Sequence, residues 1–277
     1  LPCIRPGGGK RMSAALSVWV KGVGLWAPGA ANWDAFRDIV GGRAQPGTDA
    51  RPAADVLPAN ERRRAPESVL LAAAVAGQAV SMSGLEASSL PCVFASAHGD
   101  QTITNYMCET LAETPTELSP TKFHNSVHNA PAGYWTIATH CHASSSAVSG
   151  GETTFGAGLL EAATLAVADD RDVLLASYDI AGTGPLGEMT STTGPFAVAL
   201  VLSPRADGAS VRLDLTPSPG NSGTQPTGDA WLDGIAASSP SAQAIPLMHA
   251  LAMAHSTALR IAAARELDLH VDVGVAA

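Results

Sequence analysis

Short apolar segments of two kinds alternate along most of the chain, and this alternation limits the fold more than any single motif. Residues 17–25 (SVWVKGVGL), 91–97 (PCVFASA), 173–180 (VLLASYDI) and 195–202 (PFAVALVL) are strand-length runs rich in β-formers. Between them stand helical patterns. Residues 33–40 (WDAFRDIV) follow the capping residue Asn32 and stop at Gly41-Gly42, and the apolar 69–82 is closed by Gly84. Residues 101–114 are bounded by Pro115, and the Ala/Leu-rich 156–168 has good helical period. Strands and helices joined by short loops predict an α/β fold built in layers.

The remaining segments are weaker. Residues 43–65, 119–131 and 216–228 have loop composition, rich in Pro, Gly and polar residues. Residues 148–154 and 211–215 predict short strands, 240–266 a last long helix holding His249 and His255, and 269–275 a final short strand. Gly22-Val23-Gly24 suggests a tight turn, since no third glycine completes a dinucleotide fingerprint and no P-loop follows. Residues 1–12, with Pro2, Pro6 and three glycines before Met12, suggest an extension ahead of one domain over 13–277.

Composition narrows the function class. Of 277 residues 46% are hydrophobic and only 15% charged, the reverse of a disordered chain. The net charge is −9, and the densest basic run, Arg62-Arg63-Arg64, is too short to track a phosphate backbone, so nucleic acid is not an expected partner. No apolar run approaches the length of a membrane span. Four dispersed cysteines, Cys3, Cys92, Cys108 and Cys141, make neither a disulfide framework nor a zinc pattern and fit a reducing cytoplasm.

His124, His128, His140, Cys141 and His142 raise two chemistries. Three imidazoles and a thiolate would suit zinc, but Asn125, Asn129 and Pro131 interrupt a regular helix, so hydrogen-bonded histidines in a polar loop are expected and no metal. Cys141 beside His140 and His142 resembles an activated thiol. If it sits on a strand, its neighbours point to the opposite face, and a buried, inert cysteine is the simpler expectation. The most informative segment is 150–163 (GGETTFGAGLLEAA): strand, small residues, then directly a helix. Such elbows present a residue at a helix N-terminus, where free N–H groups and partial positive charge gather.

At this point the order of elements resembles the N-terminal half of a β-ketoacyl synthase, a condensing enzyme of the thiolase fold. Residues 20–29 (VKGVGLWAPG) are similar to that family's opening strand and turn, 33–43 to its first helix, and 94–100 (FASAHGD) to its next core strand. Residues 119–135 (SPTKFHNSVHNAPAGYW) resemble the small synthase-like proteins of aryl-polyene pigment clusters, the xanthomonadin type. The resemblance implies a thiolase-like layered α-β-α fold, truncated relative to a full condensing enzyme.

The departures from the family carry the functional weight. Active synthases place a nucleophilic cysteine at an Ala-Cys-x-Ser-Gly-Leu elbow. Matching its Gly-Leu to Gly158-Leu159 puts Phe155 at the cysteine's position, or Thr154 if the register slips by one. The family's second-half histidine motifs have no counterpart after Leu202. The resemblance therefore implies a catalytically silent, chain-length-factor-like subunit without a cofactor. It would pair with an active synthase and its acyl carrier protein in aryl-polyene, polyketide or fatty-acid-type chain elongation. His124, Asn125, His128, Asn129 and Phe155 become tunnel or interface candidates. Two alternatives stay open: an independent acyltransferase or hydrolase using Cys141 with His140 or His142, and a stand-alone acyl or carrier-protein binder.

Overall fold

The computed structural model describes residues 15–48, 51–190 and 192–276, so the expected extension over 1–12 and Cys3 lie outside the described residues. Eight strands join one sheet: β1 Leu16–Trp26, β2 Cys92–Ala95, β3 Ser145–Val148, β4 Val173–Asp179, β5 Phe196–Ser203, β6 Val211–Pro219, β7 Thr257–Ala264 and β8 Leu267–Val275. Their order is β3-β2-β4-β5-β1-β6-β8-β7. β2 runs parallel to β3 and β4, and the other neighbours are antiparallel. The helices are α1 Trp33–Val40, α2 Ala59–Arg64, α3 Glu67–Ser83, α4 Gln101–Glu113, α5 Pro120–Asn125, α6 Ala130–Ala138, α7 Thr154–Ala168, α8 Gly184–Met189, α9 Ala230–Ala236 and α10 Ile245–Met253.

The central strands are buried on both faces, which is why they read as continuous apolar runs. In β5, Phe196, Val198, Leu200 and Leu202 join the core on the α7 side, while Ala197, Ala199 and Val201 face the α3 side. Small residues on that second side let α3 lie close. Gly22 and Gly24 sit within β1 and not in a turn, because a Cβ at either would stand 2.0 Å from the carbonyl oxygen of Ala79 or Val75 on α3. The helix backbone needs the space that any side chain would fill.

α7 is covered on both sides. One side packs on β1, β2, β4 and β5, the other on β7, so the sheet curls around the helix. Two glycines mark the contacts. A Cβ on Gly156 would lie 2.1 Å from the Ala262 carbonyl oxygen of β7, and one on Gly158 would lie 2.8 Å from the Ala95 Cβ of β2. Leu159, Ala162, Ala163 and Ala166 complete a helix interior that is fully buried.

The C-terminal region departs most from expectation. The helix foreseen over 240–266 ends at Met253, where Ala254 turns left-handed at φ 48°. Residues of high helix propensity then form β7, because pairing with β8 and burial of Ile261, Ala262 and Ala263 outweigh a preference worth tenths of a kcal/mol per residue. His255 therefore lies beyond the helix and only His249 within it. β6 runs on to Pro219, past the expected Leu215. β1 starts opposite Leu215, so beyond that point β6 has no neighbour on that side and Pro217 and Pro219 can lack their N–H groups. Short helices α2 and α5 also form inside segments expected to be loops.

The two α7 glycines give a graded test by urea unfolding. Gly156→Ala, which meets backbone, should cost about 3 kcal/mol or more, and Gly158→Ala, which meets side chains, about 1–3 kcal/mol. Gly133→Ala in α6 meets nothing within 4 Å and should add about 0.5–1 kcal/mol of stability.

Candidate functional site

Between β3 and α7 the chain forms a compact elbow. Ser149 donates to the Ala97 carbonyl at 2.9 Å, which ties the end of β3 to the end of β2. Gly151 takes a φ of 57°, and a 3-10 turn over Gly151–Thr153 leads into the helix. The Thr154 hydroxyl donates to the Gly151 carbonyl at 2.7 Å and accepts from the Gly150 N–H at 3.0 Å. These bonds start the helix at Thr154, two residues before the expected Gly156, and they consume the hydroxyl. Phe155 follows in the first turn, fully buried within the apolar cluster on the α7 face. Burial of such a ring contributes about 2–3 kcal/mol.

The strand ends beside the elbow are fastened by a buried carboxyl that the sequence did not single out. Asp179, at the end of β4, accepts from the Ser96 hydroxyl at 3.1 Å and the Ala97 N–H at 2.9 Å through one oxygen, and from the Ser241 N–H at 2.8 Å through the other. Ser177 donates to the Ser241 hydroxyl at 2.9 Å. The cluster joins β2, β4 and the segment before α10. Burial pushes the Asp179 carboxyl up from the usual range, against the opposing bonds from Ser241, Ala97 and Ser96. The only signal in the sequence was a lone Asp closing an apolar strand.

The histidine loop is divided. His128 meets the Ser96 carbonyl at 2.9 Å, beside this cluster, and Tyr178 donates to the His128 carbonyl at 3.4 Å. Asn125 is buried with its Oδ1 unpaired among the described residues. His124 and Asn129 are exposed, and no side-chain hydrogen bond joins His124 to another of the described residues. His124 belongs to α5 and His128 does not, so they share no helix face. Among the described residues no three His, Cys, Asp or Glu side chains gather closely enough to hold a metal.

Cys141 lies in the turn after α6, not on a strand. Its thiol is buried and donates to the Leu90 carbonyl at 3.3 Å, whereas His140 and His142 are exposed. Thiol and imidazoles are not assembled into a nucleophile and base. Burial pushes the neighbouring Cys92 up to about 12, with Cys141 adding to the shift.

The sheet edge nearest the elbow is open. Among the described residues β3 pairs only with β2, and it is exposed at alternate positions along its length. Phe123, Val127 and Ile137 stand exposed on and between α5 and α6, Ile137 at 77%, with Leu186 and Met189 on α8.

The Asp179 cluster should dominate the local energetics. Asp179→Ala leaves three buried donors without their acceptor and should cost roughly 3–5 kcal/mol in urea unfolding. Because folding raises the Asp179 pKa, the native state holds this proton at pH values where the unfolded chain has released it. The wild type should therefore lose stability relative to Asp179→Asn as pH rises from about 4 through the folded-state value. Parallel pH profiles for the two proteins would contradict the assignment.

The likeness to known proteins agrees with this geometry. One chain from the complex of the ketosynthase ApeO with its chain length factor ApeC, from Xenorhabdus doucetiae, superposes with a TM-score of 0.70 at 24% identity, over 92% of this chain and 99% of that one. A chain of the AntDE:AntF complex, a type II acyl-carrier protein with its ketosynthase bound to the hexaketide, gives 0.70 at 13% identity, over 95% and 100%. A chain of the ishigamide ketosynthase/chain length factor gives 0.67 at 11%, over 94% and 100%. These likenesses carry the fold. No protein of curated description matches the sequence. The family model described as the β-ketoacyl synthase N-terminal domain matches residues 32–267, most of the chain, and the protein belongs to that family.

Proposed function

We propose that this chain is a catalytically silent, chain-length-factor-like subunit that pairs with an active β-ketoacyl synthase and shapes its acyl tunnel. The observation that carries the reading is Phe155 at the elbow, where active relatives are expected to hold the nucleophilic cysteine. A phenyl ring cannot form an acyl thioester, the Thr154 hydroxyl is bound on both sides, and the Cys141 thiol is buried and donates to the Leu90 carbonyl. The ring instead fills the start of the helix and would act as a wall of the tunnel.

The open β3 edge supports the partnership. Native proteins usually blunt or cover an unpaired edge strand, and exposed apolar side chains such as Ile137 on α6 mark candidate contact surfaces. The partner would be a synthase of the same fold presenting its own edge, and the acyl carrier protein would deliver chains to that pair. The complexes named above, each with a ketosynthase, favour a polyketide-type product. The aryl-polyene class and a cytoplasmic location belong to the same proposal.

Co-expression with a ketosynthase encoded beside it should yield a one-to-one complex, and condensation should appear only with both chains. A protein that never co-purifies would sink the reading. Ile137→Glu should abolish co-purification without lowering Tm, since the side chain is exposed in the free subunit. Phe155→Cys should cost roughly 1–4 kcal/mol and give the isolated chain no decarboxylative condensation, because a lone thiol lacks its acid–base partners. Robust condensation by that variant alone would overturn catalytic silence.

A further inference from the structure

The sheet has a second end. On the side away from β3 it finishes with β7, which among the described residues pairs with β8 alone. Backbone groups alternate in direction along an antiparallel strand. Arg260 turns its N–H away from β8, and Ala258 and Ala262 share that direction. The Ala262 carbonyl meets Gly156 of α7, which occupies that part of the edge. Further back, Ala258 and Arg260 are exposed.

Residues 220–228, between β6 and α9, run beside this edge and are pinned at both ends. At the first pin, the Gly220 N–H donates to the Glu266 carbonyl at 3.2 Å. The Ser222 N–H and hydroxyl donate to the two oxygens of Asp268, a buried carboxylate of β8, at 3.1 and 2.6 Å. A Cβ on Gly220 would stand 2.1 Å from that carboxylate, so the glycine lets the chain pass against it. At the second pin, the Thr227 N–H and hydroxyl donate to Asp233 of α9 at 2.7 and 2.8 Å. Between the pins, Gln225 accepts from the Arg260 N–H at 3.2 Å through its side-chain oxygen. A side-chain amide thus stands where the carbonyl of a neighbouring strand would. A cleft of about 430 Å³ separates residues 225–227 from α10 and the start of β7, and the segment is exposed or half-buried throughout.

We propose that residues 220–228 are a strap that guards the outer edge of β7 against strand pairing with a second copy of this chain. An uncovered edge offers a row of N–H and C=O groups to any extended segment. An antiparallel edge is also self-complementary, so the same strand of a second molecule fits it about a twofold axis. Gln225 satisfies the Arg260 N–H, and the pinned strap occupies the approach. The guard leaves β3 as the end of the sheet open to a partner. The inference stands on the strap and β7 alone and does not need the chain-length-factor reading.

Two measurements on the intact chain test it. Gln225→Ala should speed hydrogen exchange of the Arg260 amide roughly five- to tenfold, the loss of one hydrogen bond. Gln225→Glu, which keeps an acceptor oxygen, should stay near the wild type. Loosening the whole strap with Ser222→Ala, Gln225→Ala and Thr227→Val together should produce concentration-dependent self-association beyond that of the wild type in sedimentation velocity. Adding Arg260→Pro, which removes the outward N–H at an edge position that tolerates proline, should restore wild-type behaviour. Association through β3 would respond instead to Ile137→Glu and not to Arg260→Pro, so the two readings fail separately. If Arg260→Pro unfolds the chain, protection of the Ala258 amide in the associated strap variant decides. Unchanged Arg260 exchange in Gln225→Ala, a strap variant that associates no more than the wild type, or association that leaves Ala258 unprotected would overturn the proposal.

Discussion

Everything near the elbow depends on how closely α7 is gripped. Its Gly156 lies against the backbone of β7 and its Gly158 against β2 and β4, so the helix cannot rotate or slide without collision. Interiors are packed near crystal density, and strain in one layer passes to the next. The position of Phe155 follows from this grip. A residue one step before Gly156 in the first turn points into the buried cluster because the glycine faces must meet the sheet.

The same constraint explains why the C-terminal hairpin joins the sheet. Without β7 and β8 the α7 surface bearing Gly156 would be open, and a helix buried on one side only would be expected to carry polar residues on the other. Residues 154–168 carry almost none on either side. The sheet supplies the second wall by extending from β1 through β6 and β8 to β7. Asp179 closes the assembly at the strand ends. It fastens β2, β4 and the segment before α10 with bonds that partly offset the cost of burying a carboxyl.

Function follows from what this packing leaves free. The elbow is filled by an aromatic ring and a satisfied hydroxyl, while among the described residues the outer β3 edge and several apolar side chains on α5, α6 and α8 remain exposed. The filled elbow and the open edge are the two features on which the proposed tunnel-shaping role rests.

Much of this was legible from residue order alone. The buried strands, α1 with its Asn32 cap, α3 with its Gly84 stop, and the strand-to-helix elbow all rest on local pattern: period, cap and turn chemistry act within a few residues. The place of Phe155 at this elbow was likewise read from sequence. Tertiary structure decided the rest. Gly22 and Gly24 looked like a turn because the helix that needs their missing side chains lies more than fifty residues away. Residues 257–264 looked helical because local propensity is small beside the pairing and burial that make them β7. Asp179 was inconspicuous because its donors come from Ser96, Ala97 and Ser241, far apart along the chain. Local preferences are written in neighbouring residues, whereas close packing and buried hydrogen bonds are properties of segments that meet only once the chain has folded.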